Sequence, residues 1–130
     1  MSQQNVDTAC RSWEQVRAEI PYELYDYDVR IDNMPEWPIQ GPYHGHEGLR
    51  QWWADLGDVF EDLQFEVDEV YDLDEERVLT VVTAVATATH TRIPQQHQWA
   101  SLLTFKDGRI VRAQGYFTRA QALEAVGLSE

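Results

Sequence analysis

The chain has one cysteine, Cys10, which excludes an intrachain disulfide and a multi-cysteine metal site. Basic residues are scarce as well: 10 Lys and Arg stand against 23 Asp and Glu, a formal charge of −13. Such a balance repels phosphate backbones and anionic lipid surfaces, so neither nucleic acid nor a membrane is expected as a partner. No segment approaches the roughly 18 apolar residues of a membrane span. The stretch Met1 to Val6 is polar and lacks the basic-then-apolar layout of a signal peptide. A cytoplasmic protein is the expectation. Serine-nucleophile motifs, a phosphate loop and a dinucleotide fingerprint are all missing, and no internal repeat or low-complexity tract appears.

Aromatic side chains, by contrast, are plentiful. Five Trp, six Tyr and four Phe occur in 130 residues, with 43% of the chain hydrophobic. That length suits one domain, residues 1–130, able to bury its own core. Aromatics at this density serve either a thick core or a lined cavity. The carboxylates are unevenly placed: no Lys or Arg falls between Arg50 and Arg77, while acidic residues run from Asp55 to Glu76. This reads either as solvated faces and an acidic turn or as a docking site for a basic partner.

Val6, Ala9, Cys10 and Trp13 recur at helical spacing and predict a helix over 5–19. Pro21 breaks it, since proline supplies no N–H and disfavours helical geometry at Ile20. A short helical turn over 22–27 and a strand over 28–32 follow. Residues 33–45 hold three prolines and two glycines and predict an ordered loop. Leu49, Trp52, Trp53, Leu56, Val59, Phe60 and Leu63 then form one wide apolar helix face, in which Gly57 suggests close approach of a neighbour.

From Phe65 onward the period changes to two, with a slip near Glu69 and Val70 that suggests a bulge. Strands over 77–92, 96–105 and 110–117 complete a meander. Asp107-Gly108 makes its last turn, because that pair suits the positive φ angles of a tight hairpin. Thr118 can cap a final helix and Gly127 can end it. Helices early, then an antiparallel sheet, define an α+β class.

Several motifs now stand in order: Asp32-Asn33…Pro35-Glu36-Trp37-Pro38; Tyr43-x-Gly45-His46-Glu47-Gly48-Leu49-Arg50; Phe105-x-Asp107-Gly108-x-Ile110-Val111; and Ala120-x-Ala122-Leu123-Glu124-Ala125-x-Gly127-Leu128. Together they resemble the SnoaL-like, ketosteroid isomerase-like branch of the nuclear transport factor 2-like superfamily. The resemblance implies a cone-shaped fold, a curved, mostly antiparallel sheet closed by N-terminal helices and one helix after the first strand, with a pocket between. It also implies a homodimer and chemistry without a cofactor. One fold hosts many functions, so the resemblance does not specify an activity.

The resemblance also places Asp32 at the general-base position of isomerase-like members. In an apolar pocket a carboxylate becomes a better proton acceptor; alternatively, Asp32 caps the following turn or faces solvent. Ser101 matches the position of the isomerase's protonated Asp, which stabilises an enolate oxygen, while that enzyme's Tyr donor matches Cys10 or Trp13, neither a phenol. His97 shares strand parity with Trp99, Ser101 and Leu103 and reads as a second acid or base, or as a partly exposed strand histidine.

Trp13, Trp37, Trp52, Trp53, Phe60, Trp99 and Tyr116 are the candidate ligand-binding residues. Trp52 and Trp53, being adjacent, are expected to face different ways, one supporting the sheet while the other reaches the cavity. His44-x-His46 with Glu47 tempts a metal reading, but nothing completes a ligand set, so no metal is expected. The reading is a domain that binds a small apolar molecule. It is either a cofactor-free isomerase, cyclase or lyase using Asp32 as general acid/base on a carbonyl compound, or a non-catalytic ligand-binding or accessory module.

Overall fold

The computed structural model describes residues 3–14, 20–33 and 42–128. Their order is helix α1 (Gln3–Glu14), a 3-10 turn (Tyr22–Leu24), β1 (Tyr25–Asp32), β2 (Tyr43–His44), α2 (Gly45–Val59), β3 (Phe60–Asp72), β4 (Arg77–Ala88), β5 (Pro94–Lys106), β6 (Arg109–Tyr116) and α3 (Arg119–Ala125). The six strands form one sheet in the order β2-β1-β6-β5-β4-β3. Every pairing is antiparallel except that of β1 with β6. The class is α+β, as the sequence pattern predicts.

α1 buries a face more polar than its apolar stripe suggests. Asn5, Thr8, Ala9, Ser12 and Trp13 are buried at i, i+3, i+4, i+7 and i+8. The polar members find internal acceptors: Asn5 Nδ2 donates to Glu75 O at 3.0 Å, and Ser12 Oγ donates to Ala9 O at 2.6 Å. The segment after Pro21 makes one 3-10 turn, with Leu24 N–H bonded to Pro21 O at 3.0 Å, and the strand begins at Tyr25 rather than at Asp28.

α2 ends at Val59, four residues before the last position of its predicted face. Phe60 N–H closes the final turn on Leu56 O while its own backbone is already extended, at φ −125° and ψ 137°. Leu63 belongs instead to the period-two stripe of Phe65 and Val67, whose neighbours Asp62, Gln64 and Glu66 are exposed. The join is a register shift between Glu61 and Gln64, where Asp62 takes a φ of 53°. The second shift, between Val67 and Glu69, is the bulge that the pattern predicts.

β4 lies between β3 and β5, and Val78, Leu79, Val81 and Val82 are wholly buried there. Burial on both faces explains why apolar residues occupy consecutive positions there, with only Thr80 between the two pairs; each such apolar side chain contributes roughly 1.5–3 kcal/mol. The two faces have different covers. Leu79, Val81 and Ala100 pack with Ala122 and Leu123 of α3. On the other face, Val82, Ala84 and Trp99 pack with Trp13 of α1 and Leu56 of α2. Asp107 and Gly108 take φ of 53° and 79° in the β5–β6 turn, and Thr118 Oγ1 accepts from Gln121 N–H at 3.0 Å to cap α3.

Candidate ligand pocket

Strand alternation fixes which side chains meet between sheet and helices. Ile31 pairs with Ala113, Ala113 with Leu103, and Ser101 with Gly115. Trp99 follows on the same face as Ser101 and Leu103. α1 brings Ser12 and Trp13 over these rows, and α2 brings Leu49, Trp52 and Trp53. All of these residues line one pocket, open to solvent, with about 50 Å³ of room for a water-sized molecule. That is well below the several hundred Å³ filled by drug-sized ligands, so the space suits a small molecule.

Four tryptophans shape the walls. Trp13 Nε1 donates to Thr80 Oγ1 at 3.1 Å, and its ring lies 4.7 Å from that of Phe65. Trp52 Nε1 donates to Asn33 Oδ1 at 2.7 Å. Trp52 and Trp53 meet edge to face at 4.4 Å and both line the pocket. The expectation that the adjacent pair divides between pocket and sheet is therefore overturned. Neighbours on a helix point about 100° apart, and two indoles at the edge of an apolar face are wide enough for both to reach the same opening.

The polar groups in this pocket differ from those expected. Tyr25, at the start of β1, is buried beside Ser12. Burial pushes its phenol up to about 12, against a smaller opposing effect of the hydrogen bond with Ser12. A phenol so held stays protonated at neutral pH and remains a donor. Sequence reasoning missed it because it sought the phenol on α1; the position of Tyr25, the first residue of β1 directly after the 3-10 turn, carries no periodic signal. Ser101 is buried in the same pocket, and Thr80 Oγ1 donates to its carbonyl at 3.3 Å.

Asp32 borders the pocket, but its surroundings are not apolar. Its carboxylate accepts from Arg30 Nε at 3.0 Å and Arg112 Nε at 3.3 Å, and its side chain is 15% exposed. Alternation explains this: Arg30 and Asp32 share a face, as do their partners Arg112 and Gln114, while Ile31 and Ala113 take the opposite one. The next residue of Ile31's parity is Asn33. Besides Trp52, the Asn33 side chain bonds the phenol of Tyr43, which donates to Asp55 Oδ2 at 2.6 Å. Burial pushes Tyr43 up to about 12, and the hydrogen bond to Asp55 adds to the rise.

The remaining candidates separate. His97 shares the face of Trp99 and stacks on its ring at 6.0 Å, yet lies outside the lining, with Nε2 3.1 Å from Gln95 Oε1. Phe60 packs behind the pocket, 6.1 Å from the ring of Trp99. Tyr116 is a correction: one residue past Gly115, it turns to the opposite face and packs with the α3 cluster. Cys10 is not in the lining, whereas Trp13 is. Trp37 lies outside the described residues. His46 anchors the start of α2, its Nε2 3.1 Å from Tyr25 O and its ring against Tyr22 and Tyr27. Among the described residues, no group of three or more His, Cys, Asp or Glu is placed to hold a metal ion, and no helix is long and apolar enough to cross a membrane.

A curved six-stranded sheet with helices closing one face over an aromatic pocket defines the nuclear transport factor 2-like class of α+β folds. Within that class, residues 8–113 match the model of the SnoaL-like domain, and the chain belongs to that family. Solved structures agree on the fold. A nuclear transport factor 2-like protein of unknown function from Burkholderia pseudomallei superposes with a TM-score of 0.79 at 21% identity, covering 98% of this chain and 99% of that one. A hypothetical protein of ketosteroid isomerase-like fold from Catenulispora acidiphila, in complex with trimethylamine, gives 0.72 at 17% identity over 98% and 95%. TerC, co-crystallized with polyporic acid, gives 0.76 at 18% over 95% and 98%. A comparison with curated proteins finds no match.

Proposed function

We propose that this domain binds a small, mainly apolar molecule in the pocket between sheet and helices. One observation carries the reading: four indole rings, Trp13, Trp52, Trp53 and Trp99, surround a single opening beside the protonated phenol of Tyr25 and the hydroxyl of Ser101. Apolar walls with a few convergent donors are the usual composition of a ligand site. The co-crystal of TerC with polyporic acid shows a fold neighbour taken up with an organic ligand, and supports the reading by analogy.

The test is a titration of 15N-labelled protein with cyclohexanone, followed by NMR. Binding in the pocket shifts the indole resonances of Trp13, Trp52 and Trp53 and the amides of Ser101 and Gly115. Saturating ketone that leaves them all in place would overturn the proposal.

A second reading adds proton transfer at a carbon beside the ligand's carbonyl. Its support is the place of Asp32 on the pocket border, with Tyr25 and Ser101 as donors to the developing enolate oxygen. Two guanidinium groups already engage that carboxylate, which is why binding is the first reading. If Asp32 acts as the base, the protein speeds deuterium uptake by cyclohexanone at the carbons next to its carbonyl, and Asp32→Asn abolishes that rate.

A further inference from the structure

Gly115 stands within β6, where glycine weakens a strand: it has no side chain to pack and loses more chain entropy on ordering than any other residue. A strand keeps a glycine for a positive φ, for a bulge, or because something comes close to its backbone. The first two reasons do not apply. Gly115 is not among the glycines of positive φ, which are Gly45, Gly108 and Gly127 in the described residues. Its register is unbroken: Gln114, Gly115 and Tyr116 pair in turn with Leu102, Ser101 and Ala100, and the shift in the β5–β6 ladder lies away from them, between Thr104 and Phe105. The third reason remains. Gly115 has the parity of Ala113, which lines the pocket, so a Cβ at 115 would project to the same side. Gly115 lines the pocket itself and is only half-buried, so the open space reaches its bare backbone. Ala113, Gly115 and Ser101 make a shallow floor between the indole walls.

We infer, on the reading that this pocket is the ligand site, that Gly115 is a specificity-determining residue: the ring of the ligand lies against the bare peptide at 115, so the pocket accepts six-membered cyclic compounds and a side chain there confines it to smaller ones. Apolar walls hold any compound that fits and discriminate by size chiefly through clash. A position filled in a close-packed site excludes a ligand one or two methylenes too large. Room kept open at the expense of strand stability is the mark of a residue retained for binding.

Cyclobutanone and cyclohexanone, alike but for ring size, test this. Their dissociation constants are measured by NMR titration, through the indole resonances of Trp52 and Trp53, for the wild type, Gly115→Ala and Gly115→Val. Gly115→Val is expected to weaken cyclohexanone on the order of tenfold more than it weakens cyclobutanone, and Gly115→Ala to act in the same direction by a smaller factor. A general loosening of the pocket affects both ketones alike and cancels in that ratio. Thermal melts of the ligand-free proteins supply a second readout. With open space over the backbone, Gly115→Ala should melt at or above the Tm of the wild type, because alanine loses less chain entropy on folding.

An unchanged ratio in both variants, with both rings bound, overturns the inference and leaves the pocket standing. A Gly115→Ala protein that melts below the wild type likewise overturns it, since the glycine then serves packing or sheet curvature rather than a ligand. If neither ring perturbs the indoles of the wild type, the binding proposal falls and this inference with it.

Discussion

Arg112 reaches across the parallel β1–β6 pair to Asp32, its Nε 3.3 Å from Oδ2, on a carboxylate that Arg30 already holds from its own strand. Removing Asp32 leaves two guanidinium groups facing each other with no anion between them. Both arginine side chains are about half exposed, at 49% and 52%, which limits each pair to a modest contribution. Asp32→Asn should therefore cost about 1 kcal/mol, a few degrees in Tm. Calorimetry at low and at 1 M salt checks this: the deficit should shrink with salt, because screening weakens the repulsion between the arginines. A variant that melts higher than wild type would show that the carboxylate is held at a cost to the fold.

Tyr25 provides a pH-dependent signature. Burial pushes its phenol up to about 12 from an ordinary value of 10.0. Between those values the unfolded chain has lost the proton and the folded chain has kept it, so stability falls as pH rises. The contribution is complete below pH 10 and is lost as pH rises toward 12; two pH units correspond to roughly 2–3 kcal/mol. Urea melts of wild type and Tyr25→Phe from pH 9 to 12 should show the phenylalanine variant losing less stability over that range. Equal slopes would mean that the phenol ionises as readily in the folded protein as outside it.

Asn33 joins two aromatic groups, accepting from Trp52 Nε1 at 2.7 Å and bonding the phenol of Tyr43. Asn33→Ala strands the indole N–H in a half-buried site at a cost of about 1–2 kcal/mol. Tryptophan emission from the folded variant should shift to longer wavelength as Trp52 seeks water in its place. Asn33→Asp restores an acceptor and should recover most of the emission shift.

Two glycines of α2 make opposite predictions. A Cβ on Gly48 would sit 2.9 Å from the backbone carbon of Tyr43, so Gly48→Ala must push α2 away from β2 and lower stability. A Cβ on Gly57 would meet nothing within 4 Å. Gly57→Ala should therefore stabilise by about 0.5–1 kcal/mol, the helix-propensity difference between the two residues. Chemical denaturation of both variants reads the contrast directly.

Gly57 also marks a limit of the sequence reading. A glycine inside a helical pattern suggests close approach, and here it is Gly48, at the helix start, that has the close neighbour. What was legible came from repeated signals: the period of two in β3 to β6, the Asp107-Gly108 turn, the Thr118 cap and the shared parity of His97, Trp99 and Ser101 all follow from side-chain direction. The site was less legible because it depends on parity at a single residue. One step along β1 separates Asp32, among its arginines, from Asn33, beside Trp52 and Tyr43, and no periodic pattern near the proline-rich loop fixes that step. Tyr116 went astray in the same way, one step beyond Gly115. The polar face of α1 was hidden for a different reason: Asn5, Thr8 and Ser12 look solvent-facing until their internal partners are known.

The parallel pairing of β1 with β6 has a consequence for how the molecule assembles. Strands β3 to β6 follow one another as hairpins and can form from neighbouring stretches of chain, but Ile31 meets Ala113 only after more than eighty intervening residues have been made and brought round. Closing so long a loop is slow compared with zipping a hairpin. The wall carrying Ile31 and Asn33 is thus joined to the wall carrying Ser101 and Trp99 late, and no fragment ending before β6 can complete the cavity. Occupancy of the pocket reports that both ends of the chain have come together.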